Sequence, residues 1–175
     1  RSDADTNFIP KFTYQQITIS EQFSPLIGVD VQLKSGIQAR VDIKQDRTLS
    51  LSFSNIQVTE IRGTVYDLGL GYRIRKFKLP FKVFGNKPLN GDLDLKAEYD
   101  LRNNYTIIRQ LEQGTNQPTA GTEIASIKVS ADYAINERFN VKLFFDRTVN
   151  TPFVSLSYPT ANTNAGFSIK FTLAQ

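Results

Sequence analysis

Residues Ile37 to Phe53 read IQARVDIKQDRTLSLSF. Taken alternately, the odd positions give Ile37, Ala39, Val41, Ile43, Gln45, Arg47, Leu49, Leu51 and Phe53. The even positions give Gln38, Arg40, Asp42, Lys44, Asp46, Thr48, Ser50 and Ser52. Successive side chains of a strand point to opposite faces, so this segment is read as a strand with one largely apolar face and one charged or hydroxylated face.

The same separation recurs on both sides of it. Upstream, Ile17, Ile19, Phe23, Ile27, Val29, Val31 and Leu33 oppose Thr18, Ser20, Asp30, Gln32 and Lys34. Downstream, Tyr66, Leu68, Leu70, Tyr72 and Ile74 oppose Asp67, Gly69, Gly71, Arg73 and Arg75. Leu93, Leu95, Ala97, Tyr99 and Leu101 oppose Asp92, Asp94, Lys96, Glu98, Asp100 and Arg102. Ile127, Val129, Ala131, Tyr133 and Ile135 oppose Lys128, Ser130 and Asp132, and Phe139, Val141, Leu143 and Phe145 oppose Asn140, Lys142 and Asp146. The last segment sets Phe167, Ile169, Phe171 and Leu173 against Ser168, Lys170 and Thr172. About seven strands are expected, and the fold class is all-β.

Soluble strands usually run about 5 to 6 residues, whereas several of these alternate for ten or more, the length a tilted strand needs to cross a bilayer. No stretch approaches the roughly 18 consecutive apolar residues of a membrane helix. The expectation is an antiparallel transmembrane β-barrel with lipid outside and water inside. Its lumen-facing candidates are Arg40, Asp42, Lys44, Arg73, Arg75, Asp94 and Lys96, continuing with Glu98, Asp100, Lys128, Asp132, Lys142, Asp146 and Lys170. Its lipid-facing candidates are Ile37, Val41, Ile43, Leu68, Leu70, Tyr72, Leu95 and Tyr99, continuing with Val129, Tyr133, Val141, Leu143, Phe167, Ile169 and Phe171.

Composition narrows the chemistry. The 175 residues include no Cys, Met, Trp or His, but 13 Phe and 7 Tyr. Without cysteine there is no disulfide framework and no thiolate metal site, which fits a cell-envelope compartment. Without histidine the chain cannot by itself build a Ser-His-Asp triad, a histidine-ligated zinc or an imidazole base. The net charge of +4 comes from 21 basic and 17 acidic residues scattered along the chain, with no dense basic run, so nucleic acid is not an expected partner. Neither enzyme activity nor a cofactor is expected.

The start, Arg1-Ser2-Asp3, lacks the apolar core of a signal peptide, and the chain reads as mature or truncated. Residues 1–10 are expected to be an extracellular loop or tail and residues 11–175 the barrel segment. Two breaks are tight, Lys34-Ser35-Gly36 and Asn136-Glu137-Arg138, while Glu112 to Thr122 and Pro152 to Asn164 read as long polar loops. Bacterial barrels place short turns in the periplasm and long loops outside, which sends the first strand inward and makes Phe77 to Gly91 a longer periplasmic turn. Complete bacterial barrels have even strand numbers, so an odd count points to one strand overlooked, for example within Arg1 to Lys11, or to part of a larger barrel.

Asp92, Asp94, Glu98 and Asp100 could suggest a calcium site or a carboxylate pair, but Lys96 and Arg102 share their face. Interleaved cross-strand charge pairs on a hydrated wall are the better reading. Tyr72, Tyr99, Tyr133, Phe139, Phe153, Tyr158 and Phe167 are expected near strand ends as an interfacial girdle. Pro25 cannot donate to a sheet ladder and should mark a bulge, an edge or a kink. Gly69 and Gly71, on the polar face, either relieve crowding or let another segment approach the wall.

Three strings carry a family likeness: EQFSPLIGVD at 21–30, DLGLGYRI at 67–74 and FFDRTVNTPFVSLSYPTANTNAGFSIKFTL at 144–173. Together they resemble the C-terminal end of the SprA/Sov family, the outer-membrane translocon of type IX secretion in Bacteroidota. The resemblance implies a single-chain barrel of about 36 strands, of which this chain would supply a C-terminal stretch of wall. It also implies export of folded cargo bearing a C-terminal secretion domain, with a PorV-like shuttle protein, a periplasmic plug and accessory subunits as partners. The remainder of the barrel and outer-membrane lipid would surround the chain. The rival readings are a TonB-dependent importer fragment, a small autonomous barrel of about eight strands, and a soluble ligand-binding barrel with its apolar face inward.

Overall fold

The computed structural model describes residues 14–78, 90–136, 139–154 and 157–172. These form seven strands: β1 (Gln16–Gln32), β2 (Ile37–Ser52), β3 (Gln57–Lys78), β4 (Asn90–Gln110), β5 (Thr115–Asn136), β6 (Phe139–Pro152) and β7 (Thr160–Phe171). They make one antiparallel sheet in the order β1-β2-β3-β4-β5-β6-β7, each strand paired with its neighbours in sequence. The described residues include no helix. The chain is thus all-β, and β1 and β7 do not meet, so the sheet is open at both edges.

Several strands are longer than their alternation indicates. β3, β4 and β5 contain 22, 21 and 22 residues. The expected loop Glu112 to Thr122 is instead a tight turn at residues 111–114 followed by the first part of β5, and the Pro152 to Asn164 loop shortens to residues 153–159. The β2–β3 connection, residues 53–56, is equally tight. The contrast between tight turns at one end and long loops at the other therefore does not hold, and loop length gives no orientation. The physical reason is that Asn116, Gln117 and Pro118 pair with Arg109, Ile108 and Ile107 of β4 although this part of β5 has no apolar alternation of its own. Backbone pairing continues past the point where hydrophobic patterning stops.

The turn between β1 and β2 depends on one glycine. Gly36 has φ of +88°, and its N–H donates to the Leu33 carbonyl at 3.0 Å. A Cβ at this position would lie 2.7 Å from the Arg73 carbonyl oxygen, so both the dihedral and the space require glycine. In β1 the register shifts between Phe23 and Ile27, a bulge that brackets Pro25 on an edge strand. Further shifts lie between Ile74 and Phe77, between Thr106 and Ile107, and between Ala134 and Asn136. The expected turn at Phe77 to Gly91, residues 137–138, residues 1–10 with any additional strand before Lys11, and Leu173 lie wholly or partly outside the described residues.

A single layer has nothing to pack against. Among the described hydrophobic side chains only Tyr133 is buried, while Leu70, Leu143, Phe167 and Phe171 are 61%, 56%, 71% and 63% exposed. The chain presents 13967 Å² of accessible surface, against roughly 8,600 Å² expected of a soluble monomer of its mass. Stable domains close their apolar faces between two layers or within a barrel, and the described residues by themselves do neither.

Candidate functional site

Register sorts the side chains onto two faces. Val41 pairs with Val29 and Leu68, Leu68 with Tyr99, Tyr99 with Ile127, and Val129 with Phe145, so the apolar residues share one side across the sheet. Every residue expected toward lipid has this parity, from Ile37, Val41 and Ile43 to Phe167, Ile169 and Phe171. The residues expected toward the lumen share the opposite side, from Arg40, Asp42 and Lys44 to Asp146 and Lys170. Arg75 departs from this pattern: it falls in the bulge between Ile74 and Phe77, where alternation is broken. Beyond that bulge Phe77 swings onto the apolar face opposite Gly91.

The apolar face is bounded by a slanting edge. On β2, β3 and β4 the last bulky apolar residues before a polar row are Ile43, Tyr66 and Leu101, which form one paired row. That limit drops to Ile127 on β5, Phe145 on β6 and Phe167 on β7, one row lower at each step, and Arg147 follows Phe145 on the same face. Averaged from β2 to β7, the fall is a little over one residue per strand. With about 3.3 Å per residue and 4.8 Å between strands, the edge is inclined roughly 40° to the hydrogen-bonding direction.

Two aromatic placements differ from expectation. Tyr99 lies midway along β4 between Leu68 and Ile127, one row inside the edge of the band and not at a strand end. Tyr133 has the apolar parity but is only 7% exposed, because Phe77 stands against it edge-on at 6.2 Å and its hydroxyl donates to the Phe77 carbonyl at 3.2 Å.

The polar face is laced with charge pairs. Arg73 Nε lies 2.8 Å from Asp94, its direct partner across β3–β4, and Lys44 bonds Asp67. Lys128 lies 3.7 Å from Asp100, Lys142 lies 4.0 Å from Asp132, and Arg40 lies 2.6 Å from Asp42. On β4, Asp94 and Asp100 are thus engaged by cations, and Asp92 accepts from the Lys76 N–H at 3.2 Å. No group of three or more acidic residues suited to a metal ion occurs among the described residues. Exposed pairs of this kind contribute about 0 to 1 kcal/mol each, so their chief effect is wetting and register.

Two glycines on this face bear on how closely anything can approach. A Cβ on Gly69 would meet Arg40 Cβ at 3.7 Å, and one on Gly71 would meet Gln38 Cβ at 3.6 Å. Both are ordinary contacts, so crowding does not require glycine at either place. They floor a depression bordered by Arg40, Lys96 and Glu98.

One cluster escapes the alternation argument altogether. Beyond the band, on its own face, the carboxylate of Glu60 is 1% exposed and ringed by Arg47 Nε at 2.8 Å, an Arg62 terminal nitrogen at 2.9 Å and an Arg109 terminal nitrogen at 2.5 Å. Only the Glu60/Arg62 spacing is local. Arg47 and Arg109 arrive through the registers of β2 and β4, which periodicity alone does not fix.

No family model matches the chain, and comparison with curated proteins gives no match.

Proposed function

We propose that the chain is a stretch of wall in a bacterial outer-membrane β-barrel, specifically a protein-conducting pore of the type IX secretion kind that the 21–30, 67–74 and 144–173 strings resemble. The observation that carries the membrane reading is the slanted apolar band on one face of a single-layer sheet. Its inclination of roughly 40° is the tilt that transmembrane barrel strands adopt, and Tyr66 to Ile74 is as long as the roughly 9 to 11 residues such a strand needs. Strands of soluble barrels tilt similarly, so the slope supports a barrel wall, and the membrane side of the reading is supported by the strand lengths and the exposed apolar face.

In this reading the charged face lines a hydrated lumen and the apolar face meets lipid. The band lies toward the Lys34–Gly36 end of the strands, and β3, β4 and β5 run on past it at the other end, which becomes the extracellular side. The edges of β1 and β7 are open among the described residues, which is untenable in lipid, and in this reading the rest of a larger barrel pairs with them. The chain's task is mechanical: to complete a wide, wet, closed wall through which folded cargo passes. Shuttle, plug and accessory subunits would act on that assembly as a whole.

The test is purification of the full-length protein from native outer membranes without heating, followed by the mass of the intact particle. The expected result is a much larger barrel chain containing these residues, associated with secretion subunits. A lone species of 19.8 kDa with a closed, heat-modifiable barrel would replace the proposal with the small autonomous barrel.

A further inference from the structure

The wall reading accounts for the band and for the charged face opposite, but not for a buried carboxylate ringed by three arginines on the lipid side. Resting on that reading, we propose that the Glu60 cluster is a binding site for the phosphorylated saccharide head group of an outer-leaflet glycolipid.

The first reason is unspent hydrogen-bonding capacity. Each guanidinium carries five donors in a planar fork, and Arg47, Arg62 and Arg109 each give one close contact to Glu60. Their side chains remain 33%, 44% and 43% exposed, so each guanidinium still reaches the surface, although Arg109 Nε itself is buried. Three positive charges face one buried carboxylate, with Glu21 a distant second at 3.8 Å from Arg47. Glu60 holds the arginines together from beneath, and the excess positive charge is directed outward. Planar bidentate recognition of phosphate is what such a fork does best.

The second reason is height. Arg62 lies four residues past Tyr66, the last apolar residue of the band on β3, and Glu60 lies two further. At about 3.3 Å per residue and a tilt near 40°, that puts the cluster about 10 to 15 Å beyond the hydrocarbon edge. A phospholipid head-group layer is only about 5 to 8 Å deep, and the row Gln45, Thr64 and Asn103 already occupies it. A ligand that is anchored in the leaflet and carries phosphate at the height of the arginines needs a taller head group, one built on sugars.

The third reason is the neighbour. In the paired row Arg47, Arg62 and Tyr105, the tyrosine stands beside Phe153, with ring centroids 6.5 Å apart and planes inclined by 32°. An aromatic pair next to an arginine fork offers a sugar ring a flat apolar surface within reach of the phosphate site.

The full-length protein in its native assembly, delipidated in detergent, is titrated with diphosphorylated lipid A, dephosphorylated lipid A, phosphatidylglycerol and inorganic phosphate, with bound lipid read by native mass spectrometry. Diphosphorylated lipid A is expected to bind best, and R62Q with R109Q to weaken it about tenfold or more. Glu60→Gln, which frees donors while keeping all three guanidinium groups, should leave that binding equal or tighter. Unchanged binding in the arginine variant, loss of binding in E60Q as deep as in that variant, or equal binding of phosphatidylglycerol or inorganic phosphate would each overturn the proposal. A fluorophore on Leu68→Cys, quenched by brominated acyl chains, tests the wall reading separately. Quenching without lipid A dependence removes this inference alone, and absence of quenching removes the wall reading itself.

Discussion

Glu60 on β3 and Arg47 on β2 are joined by a 2.8 Å bond although they are not direct partners: Arg47 faces Arg62, and Leu49 faces Glu60. The diagonal contact places two like-charged arginines side by side and relieves their repulsion through one shared carboxylate. Replacing Glu60 with Ala should therefore cost more than removing any one arginine, about 1 to 2 kcal/mol against 0.5 to 1, since the guanidinium groups are partly hydrated. The unfolding temperature of the full-length barrel, followed by its heat-modifiable mobility, checks the order. Equal losses would mean the cluster is not organised around the carboxylate.

Leu70 on β3 and Lys96 on the adjacent β4 lie on opposite faces of the sheet, and their replacements should differ sharply. If the band meets lipid as proposed, Leu70→Arg puts a charge at mid-band and is expected to cost about 2 to 4 kcal/mol, reducing the folded fraction in the membrane. Lys96→Ala should change stability by less than about 1 kcal/mol. A water-soluble maleimide should label Cys at 96 and spare Cys at 70. The reverse labelling would turn the barrel inside out.

Among the glycines, Gly36→Ala should be damaging and Gly69→Ala tolerated. The first combines a positive φ with a clash against the Arg73 carbonyl, for a loss of about 1 kcal/mol or more. The second meets only ordinary contacts, so stability should stay within about 0.5 kcal/mol. If Gly69→Ala nevertheless lowers transport in cells, the open floor beside Arg40 serves passage, not folding.

Tyr133→Phe keeps the ring against Phe77 and removes the hydroxyl that donates to the Phe77 carbonyl. A loss of about 1 kcal/mol is expected, with the β3–β4 end of the sheet opening first in hydrogen exchange. Uniform exchange along β3 would show that the hydroxyl does not pin that end.

The readable part of this fold is the part where one face needs to be greasy. Ile37 to Ile43, Tyr66 to Ile74 and Leu93 to Leu101 announce strands because burial in an apolar medium enforces period two. Thr115 to Ser126 gives no such signal: with Pro118 and Gly121 inside it and polar residues on both faces, it reads as loop, yet β4 holds it as strand by backbone pairing. Side-chain identity stops reporting structure where no medium selects it. The band and the charged face were legible for the same reason, since each lies on consecutive even or odd positions. The Glu60 cluster was not, because it assembles from three strands whose relative register no single segment encodes. Phe77 and Tyr133 were hidden likewise, by a bulge at Arg75 that reverses which face the next residue takes.

Among the described residues each strand pairs only with the strand before and the strand after it in sequence. In kinetic terms, every step of growth joins strands that are consecutive in sequence, with no more than eleven residues between them, so the loop-closure entropy lost at each step stays small. The wall can therefore be laid down strand by strand at whatever rate the chain is delivered. In the proposed barrel, the slow, long-range event is confined to the moment when the two outer edges find their partners.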